Sequence, residues 1–162
     1  TVVANSDLKF SQTWLASILV HLESDQYKLL GPMTNAPGHR PVQSIIRYLP
    51  GYRVDDSYEA IDRVQTTLLA DAKHHRTVPG GINGFCMVAR TADWWRGAFS
   101  SKDVFDPSRK MTGNEDELQR RWEKKKLRMA TVRDSFVFHY RGVSRTPDAV
   151  GIHPQGRYRA QS

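Results

Sequence analysis

Gly80-Gly81-Ile82-Asn83-Gly84-Phe85-Cys86-Met87-Val88-Ala89-Arg90 is the stretch on which the reading of this 162-residue chain turns. Residues 85–89 form a compact apolar run, which reads as a buried strand, and the glycines before it supply a permissive turn of entry. Thr91 then opens a short helix carrying Trp94 and Trp95. Upstream, Ile61, Val64, Leu68 and Ala72 follow helical spacing within residues 58–75, and Pro79-Gly80-Gly81 ends that helix. Downstream, residues 100–113 are polar around Asp106-Pro107 and read as a mobile loop. Residues 115–126 form a third helix with Leu118 and Trp122 inward, its acidic start matching the positive end of the helix dipole. Residues 128–132 and 135–140 supply strand-like pieces.

Toward the N-terminus, residues 1–4 are β-branched and apolar and run into Asn5-Ser6-Asp7, a strand end turning into a loop. Trp14, Leu15, Ile18, Leu19 and Leu22 then mark one face of an amphipathic helix that Ser11 or Thr13 caps. Residues 27–30 read as a short strand. Residues 31–41 are dense in turn formers, a loop long enough to line a site. Strands alternating with helices point to an α/β layer, in which ligand sites gather at the carboxyl ends of strands. Asp7 and His139 sit at two such ends, and Glu115-Asp116 lies at a helix start where a loop meets the sheet.

Composition narrows the function classes. With 39% hydrophobic and 25% charged residues the chain is long enough to bury a core, so global disorder is excluded. Its one cysteine, Cys86, rules out an intramolecular disulfide framework and fits a reducing compartment. No apolar run is long enough for a membrane span and no secretory signal is present, so the expected location is cytoplasmic. The chain begins with Thr1 rather than Met, already in a strand, so a segment is expected upstream. A formal net charge of +7 comes from Arg120, Arg121, Lys124-Lys125-Lys126 and Arg128 on one helix and its exit, and from the basic tail beyond Arg141. Such runs read as solvated faces, as a nucleic-acid surface, or as partners for a smaller polyanion such as a nucleotide diphosphate. No recognised nucleic-acid-binding motif accompanies them. His74-His75 has no helical His-x-x-x-His spacing and is read as surface, so no zinc site is expected.

Four ordered segments resemble a nucleotide-sugar-dependent glycosyltransferase of the GT-A fold, in the inverting family 2 group. Val3-Ala4-Asn5-Ser6-Asp7 with Trp14-Leu15 looks like the strand ending in the Asp-x-Asp element and its following helix. Leu30-Gly31-Pro32-Met33-Thr34-Asn35 resembles the turn after the next strand. The glycine-led segment 80–90 is similar to the strand beneath the acceptor site. Asn114-Glu115-Asp116-Glu117-Leu118, followed by Ser135-Phe136-Val137-Phe138-His139-Tyr140, looks like the acidic catalytic motif and the last strand ending in histidine. The resemblance covers residues 1–141, leaving 142–162 as a basic C-terminal tail. The first Asp of Asp-x-Asp is Asn5 here. The family's nucleotide-binding strands would precede Thr1, so the resemblance implies the C-terminal, metal and acceptor side of a GT-A-like mixed sheet.

What the resemblance implies chemically is transfer of a sugar, with inversion, from a nucleotide-sugar donor to a hydroxyl on a glycan or other acceptor. Asp116 would be the base and Glu115 would position the acceptor. Asp7 and His139 would hold Mn²⁺, or Mg²⁺, on the diphosphate, the imidazole favouring Mn²⁺. Asn5, Ser6, Arg141 and Arg145 would contact the donor, and guanidinium forks suit phosphate oxygens. Gly81, Asn83 and Gly84, with Trp94 and Trp95, would line the acceptor site, one indole facing core and one a sugar. Each feature also has a plain structural reading: dipole complement for the acidic pair, a backbone-bonded histidine, a basic tail, a tight turn. The alternative is a catalytically inactive glycosyltransferase-like interaction or structural protein completed by a second polypeptide.

Overall fold

The computed structural model describes residues 1–71, 76–109 and 113–140. Arg141, Arg145, the tail 142–162, Ala72 and His74-His75 lie outside the described residues. The chain is mixed α/β: strands β1 (Val2–Ala4), β2 (Leu8–Phe10), β3 (Leu29–Met33), β4 (Thr77–Pro79), β5 (Cys86–Val88) and β6 (Met129–His139), and helices α1 (Trp14–Glu23), α2 (Tyr58–Asp71), α3 (Thr91–Arg96) and α4 (Asn114–Lys124). Two 3-10 turns, Pro41–Gln43 and Ile45–Arg47, follow β3. The sheet runs β1-β5-β3-β6-β2, with β4 also on β6. β3 and β6 are parallel and the other pairs antiparallel.

Alternation along the strands sorts the core onto two faces. Leu30, Cys86, Val88, Ala130 and Val132 pack with Ile18 and Leu22 of α1. Their neighbours Leu29, Met87 and Met129 face the other way, onto Trp94 of α3 and Leu118 and Trp122 of α4. Farther along that second face Met33, Phe136 and Phe138 meet Ile61, Val64 and Leu68 of α2. β5 is buried at every position because it lies between β1 and β3 beneath helices on both faces.

Several sequence expectations need correction. Neither Ser11 nor Thr13 caps α1: Thr13 occupies the cap position without a side-chain bond, and the Ser11 hydroxyl donates to Gln65 Oε1 and the Phe136 carbonyl. Gly31 to Met33 belong to β3 rather than to the loop. Pro32, which has no N–H to give to the ladder, stands at the point where the β3–β6 register shifts, and its carbonyl accepts from Gln43 Nε2 at 2.9 Å. β4 stands between the second helix and the glycine turn, and β2 follows Asp7; both are three-residue strands with too little pattern to read. The two pieces expected at the end are one strand, β6, whose pairing jumps from Pro32–Val132 to Met33–Phe136. Residues 133–135 have no partner in the β3 register, and Gln65 bridges the break by donating to the Asp134 carbonyl at 2.7 Å and accepting from Phe136 N at 2.8 Å. No helix among the described residues is long and apolar enough to cross a membrane.

Candidate functional site

The carboxyl ends of β1, β3 and β6 and the entry to β5 meet at one end of the sheet. Asp7 follows β1, and the pairing of Leu8 with His139 brings it beside the end of β6, where Tyr140 N donates to the Asp7 carbonyl at 3.0 Å. Asn35, just past β3, clamps the His139 backbone from both sides: its Oδ1 accepts from His139 N at 2.8 Å and its Nδ2 donates to the His139 carbonyl at 3.0 Å. The His139 ring stacks on Phe85 with centroids 5.2 Å apart. Its Nδ1 lies 3.2 Å from the Ala36 carbonyl and its Nε2 3.4 Å from Asp7 Oδ1. Donation from Nδ1–H to Ala36 turns the Nε2 lone pair toward a carboxylate oxygen. A proton on Nε2, or a divalent cation between the two atoms, satisfies that arrangement. The donor set, one carboxylate and one imidazole, therefore fits a cation that takes its remaining ligands from substrate oxygens and water. No group of three or more His, Cys, Asp or Glu with metal-site geometry occurs among the described residues. Asn5 and Ser6 are exposed on the same bend, and Asn5 N donates to the Phe85 carbonyl at 2.8 Å.

The second half of the site is the segment 80–84 with the start of α4. Gly80, at φ +135, makes the turn that a side chain would strain. Two buried glutamines then hold the segment as a strand would. Gln119 Oε1 accepts from Ile82 N at 2.8 Å while its Nε2 donates to Ile82 O at 2.7 Å. Gln43 Oε1 accepts from Asn83 N at 2.6 Å while its Nε2 donates to Pro32 O at 2.9 Å. The Asn83 side chain bonds the Pro37 carbonyl at 3.1 Å and accepts from Phe85 N at 3.2 Å. Glu115 lies directly on Gly84, where a Cβ would fall 2.7 Å from its side chain, so only glycine admits this approach. Asp116, one-third exposed, faces Arg40 Nη2 at 3.3 Å and His39 Nε2 at 3.6 Å.

Residues 35–40 join the halves: Asn35 and Ala36 hold His139, Pro37 holds Asn83, and His39 and Arg40 face Asp116. The sequence identified this loop as a site lining but missed Asn35, Gln43 and Gln119 as its supports and Arg40 and His39 as its charges. A polar residue on an apolar face was the available signal for Gln119, which follows Leu118. The indoles are placed elsewhere. Trp94 is enclosed against Trp122 and Phe105, with its Nε1 donating to the Thr1 carbonyl at 3.2 Å. Trp95 is half exposed on α3, which begins where β5 ends, at the opposite end of the sheet from His139. The structure thus brings Asp7, His139, Glu115, Asp116, Gly81, Asn83 and Gly84 to one end and leaves the two tryptophans at the other.

No protein-family model matches the chain, and no curated protein or solved structure shows a significant match to it.

Proposed function

We propose that this chain is the acceptor-side part of a metal-dependent, inverting glycosyltransferase with a GT-A-like sheet. The observation that carries the reading is the loop 35–40, which links an Asp7–His139 pair to Asp116 at the carboxyl end of the sheet. Those are the two sites the chemistry requires: one for the diphosphate of the donor and one for a base.

In this reading the acceptor hydroxyl approaches the exposed side of Asp116, beside His39 and Arg40, because the side chains of Gln119, Arg40 and Glu115 already cover Gly81 and Gly84. Asp116 takes the hydroxyl proton as the new C–O bond forms from the face opposite the departing diphosphate, so configuration inverts. The bond between the anomeric carbon and the diphosphate oxygen breaks, and its electron pair leaves with the diphosphate. Arg40, whose Nη2 lies 3.3 Å from Asp116 Oδ1, orients that carboxylate. A divalent cation bound at Asp7 and His139 would supply charge neutralisation on the leaving diphosphate. Asn35 keeps the imidazole in register by fixing its backbone.

The test is thermal unfolding with UDP, GDP or dTDP, with and without Mn²⁺. Binding at a hundredfold excess over Kd adds about 2.7 kcal/mol, a rise of several degrees. A metal-dependent rise for one nucleotide that disappears in Asp7→Ala supports the reading, and the absence of a rise with all three overturns the donor site. A second reading has one observation in its favour. The outer edge of β1 is unpaired among the described residues, with Val2 exposed, which suits a sheet completed by a further segment or a second chain. An inert protein of this kind would bind no nucleotide yet form a defined complex through that edge.

A further inference from the structure

The end of the sheet opposite Asp7 and His139 concentrates positive charge. β3 and β6 are entered there through Lys28 and Arg128, whose backbones are joined by a 2.8 Å hydrogen bond. β5 leaves there through Arg90, which shares the Asp25 carboxylate with Lys28 and also donates to the Leu22 carbonyl at 2.7 Å. α4 runs from the candidate site to this end and exits through Lys124, Lys125 and Lys126, with Lys125 Nζ bonding the Arg96 carbonyl at 2.7 Å. With Arg96 these make seven cations, interleaved with the carboxylates Glu23, Asp25, Asp93 and Glu123, a local excess of three positive charges. Lys124 and Lys126 are exposed and form no ion pair with any described residue. Helix-dipole complementarity accounts for Lys124 in the last turn of α4, but not for the lysines beyond the helix.

Beside this charge lie two exposed aromatic side chains. Trp95 is 50% exposed and Phe99 47% exposed. Trp95 adjoins Arg96 on α3, whose carbonyl Lys125 Nζ bonds, and the Phe99 ring lies 5.7 Å from the guanidinium of Arg121, itself ion-paired with Glu117. Nothing in the core requires either ring, because Trp94 and Trp122 already fill the space beneath α3.

We propose that this end of the molecule docks on an anionic lipid surface, with the rings of Trp95 and Phe99 at headgroup depth and the Lys124-to-Arg128 run over lipid phosphates. Indole rings favour the boundary between headgroups and acyl chains, and lysine and arginine near that plane are drawn to anionic lipid. A nucleic acid would also attract the cations, but it favours basic residues arrayed along a phosphate track. Here they are gathered at the blunt end of one sheet, from strand ends and one helix exit. Such docking leaves Asp7, His139 and Asp116 at the far end, facing away from the lipid.

The experiment is flotation of the whole chain with vesicles of phosphatidylcholine alone and with vesicles containing about one-third phosphatidylglycerol, at low salt and at about 0.3 M salt. The expected result is binding about a hundredfold tighter to the anionic vesicles, falling with salt, as three basic residues at roughly fivefold each require. The double variant Lys124→Glu/Lys126→Glu abolishes this preference, and Trp95→Ser weakens binding several-fold without changing the charge. Both must melt like the wild type, since neither position is in the core. A blue shift of tryptophan emission on vesicle binding, absent in Trp95→Phe, places that ring at the lipid. Equal affinity for neutral vesicles, no binding at low salt, or insensitivity to the double charge reversal overturns the proposal. Tighter binding to a single-stranded oligonucleotide than to anionic vesicles also overturns it and identifies nucleic acid as the partner of this end.

Discussion

Replacing Gln43 tests whether the candidate site is held by its buried amides. Gln43 is fully enclosed, and its side chain bridges two backbone groups remote in sequence, the Pro32 carbonyl and the Asn83 N–H. Gln43→Met keeps most of the volume but removes both bonds. It leaves one buried acceptor and one partly buried donor without partners, at about 1 to 3 kcal/mol each. Discounting the Asn83 side, because water reaches it, leaves a loss of about 3 kcal/mol. For a domain of this size that lowers Tm by about 6 to 12 °C. Gln43→Ala adds a cavity and should cost more. Calorimetry or thermal circular dichroism measures the shift, and amide hydrogen exchange should show the Asn83 N–H losing protection first, before β5. A Gln43→Met protein melting within about 2 °C of the wild type would show that the bridge carries no free energy and that packing alone holds segment 80–84.

Three further outcomes follow from the same structure. Asp116→Asn should lower transfer at least about a hundredfold while leaving Tm nearly unchanged, because its partly exposed ion pair with Arg40 contributes little to folding; full turnover in that variant removes Asp116 as the base. Gly97→Ala should unfold the protein or leave it insoluble, because a Cβ there overlaps the ring of the fully buried Trp122 and the indole has no room to move, so a soluble variant with wild-type Tm contradicts the packing. Burial raises the Cys86 thiol from an ordinary 9.0 to about 12, so between these values the folded state keeps a proton that the unfolded chain releases. Stability should therefore fall as pH rises past 9.0, and urea midpoints at about pH 8 and about pH 10 should converge in Cys86→Ala.

Much of the layout was legible from local pattern. The spacing of Ile18 and Leu22, of Ile61, Val64 and Leu68, and of Leu118 and Trp122 marks three helices, since one buried stripe per helix is a property of neighbouring residues. The apolar run before Arg90 marks β5, and Asp7 stands where a strand gives way to a bend. The short strands β2 and β4 were not legible. Three residues carry no period, and these exist because β6 offers them an edge. The bulge at 133–135 was equally hidden, because it depends on Gln65, nearly seventy residues away, reaching the Asp134 carbonyl.

What the sequence alone determined is therefore which segments are helical, that residues 85–89 form a buried strand, and that polar groups collect at strand ends. Only the tertiary structure decided that Asp7 lies against His139, that Arg40 and His39 face Asp116, and that Asn35, Gln43 and Gln119 carry the backbone of the site. Periodicity is written over a few residues and reports burial. A hydrogen bond between an amide side chain and a distant backbone depends on strand order and register, which exist only once the sheet has closed.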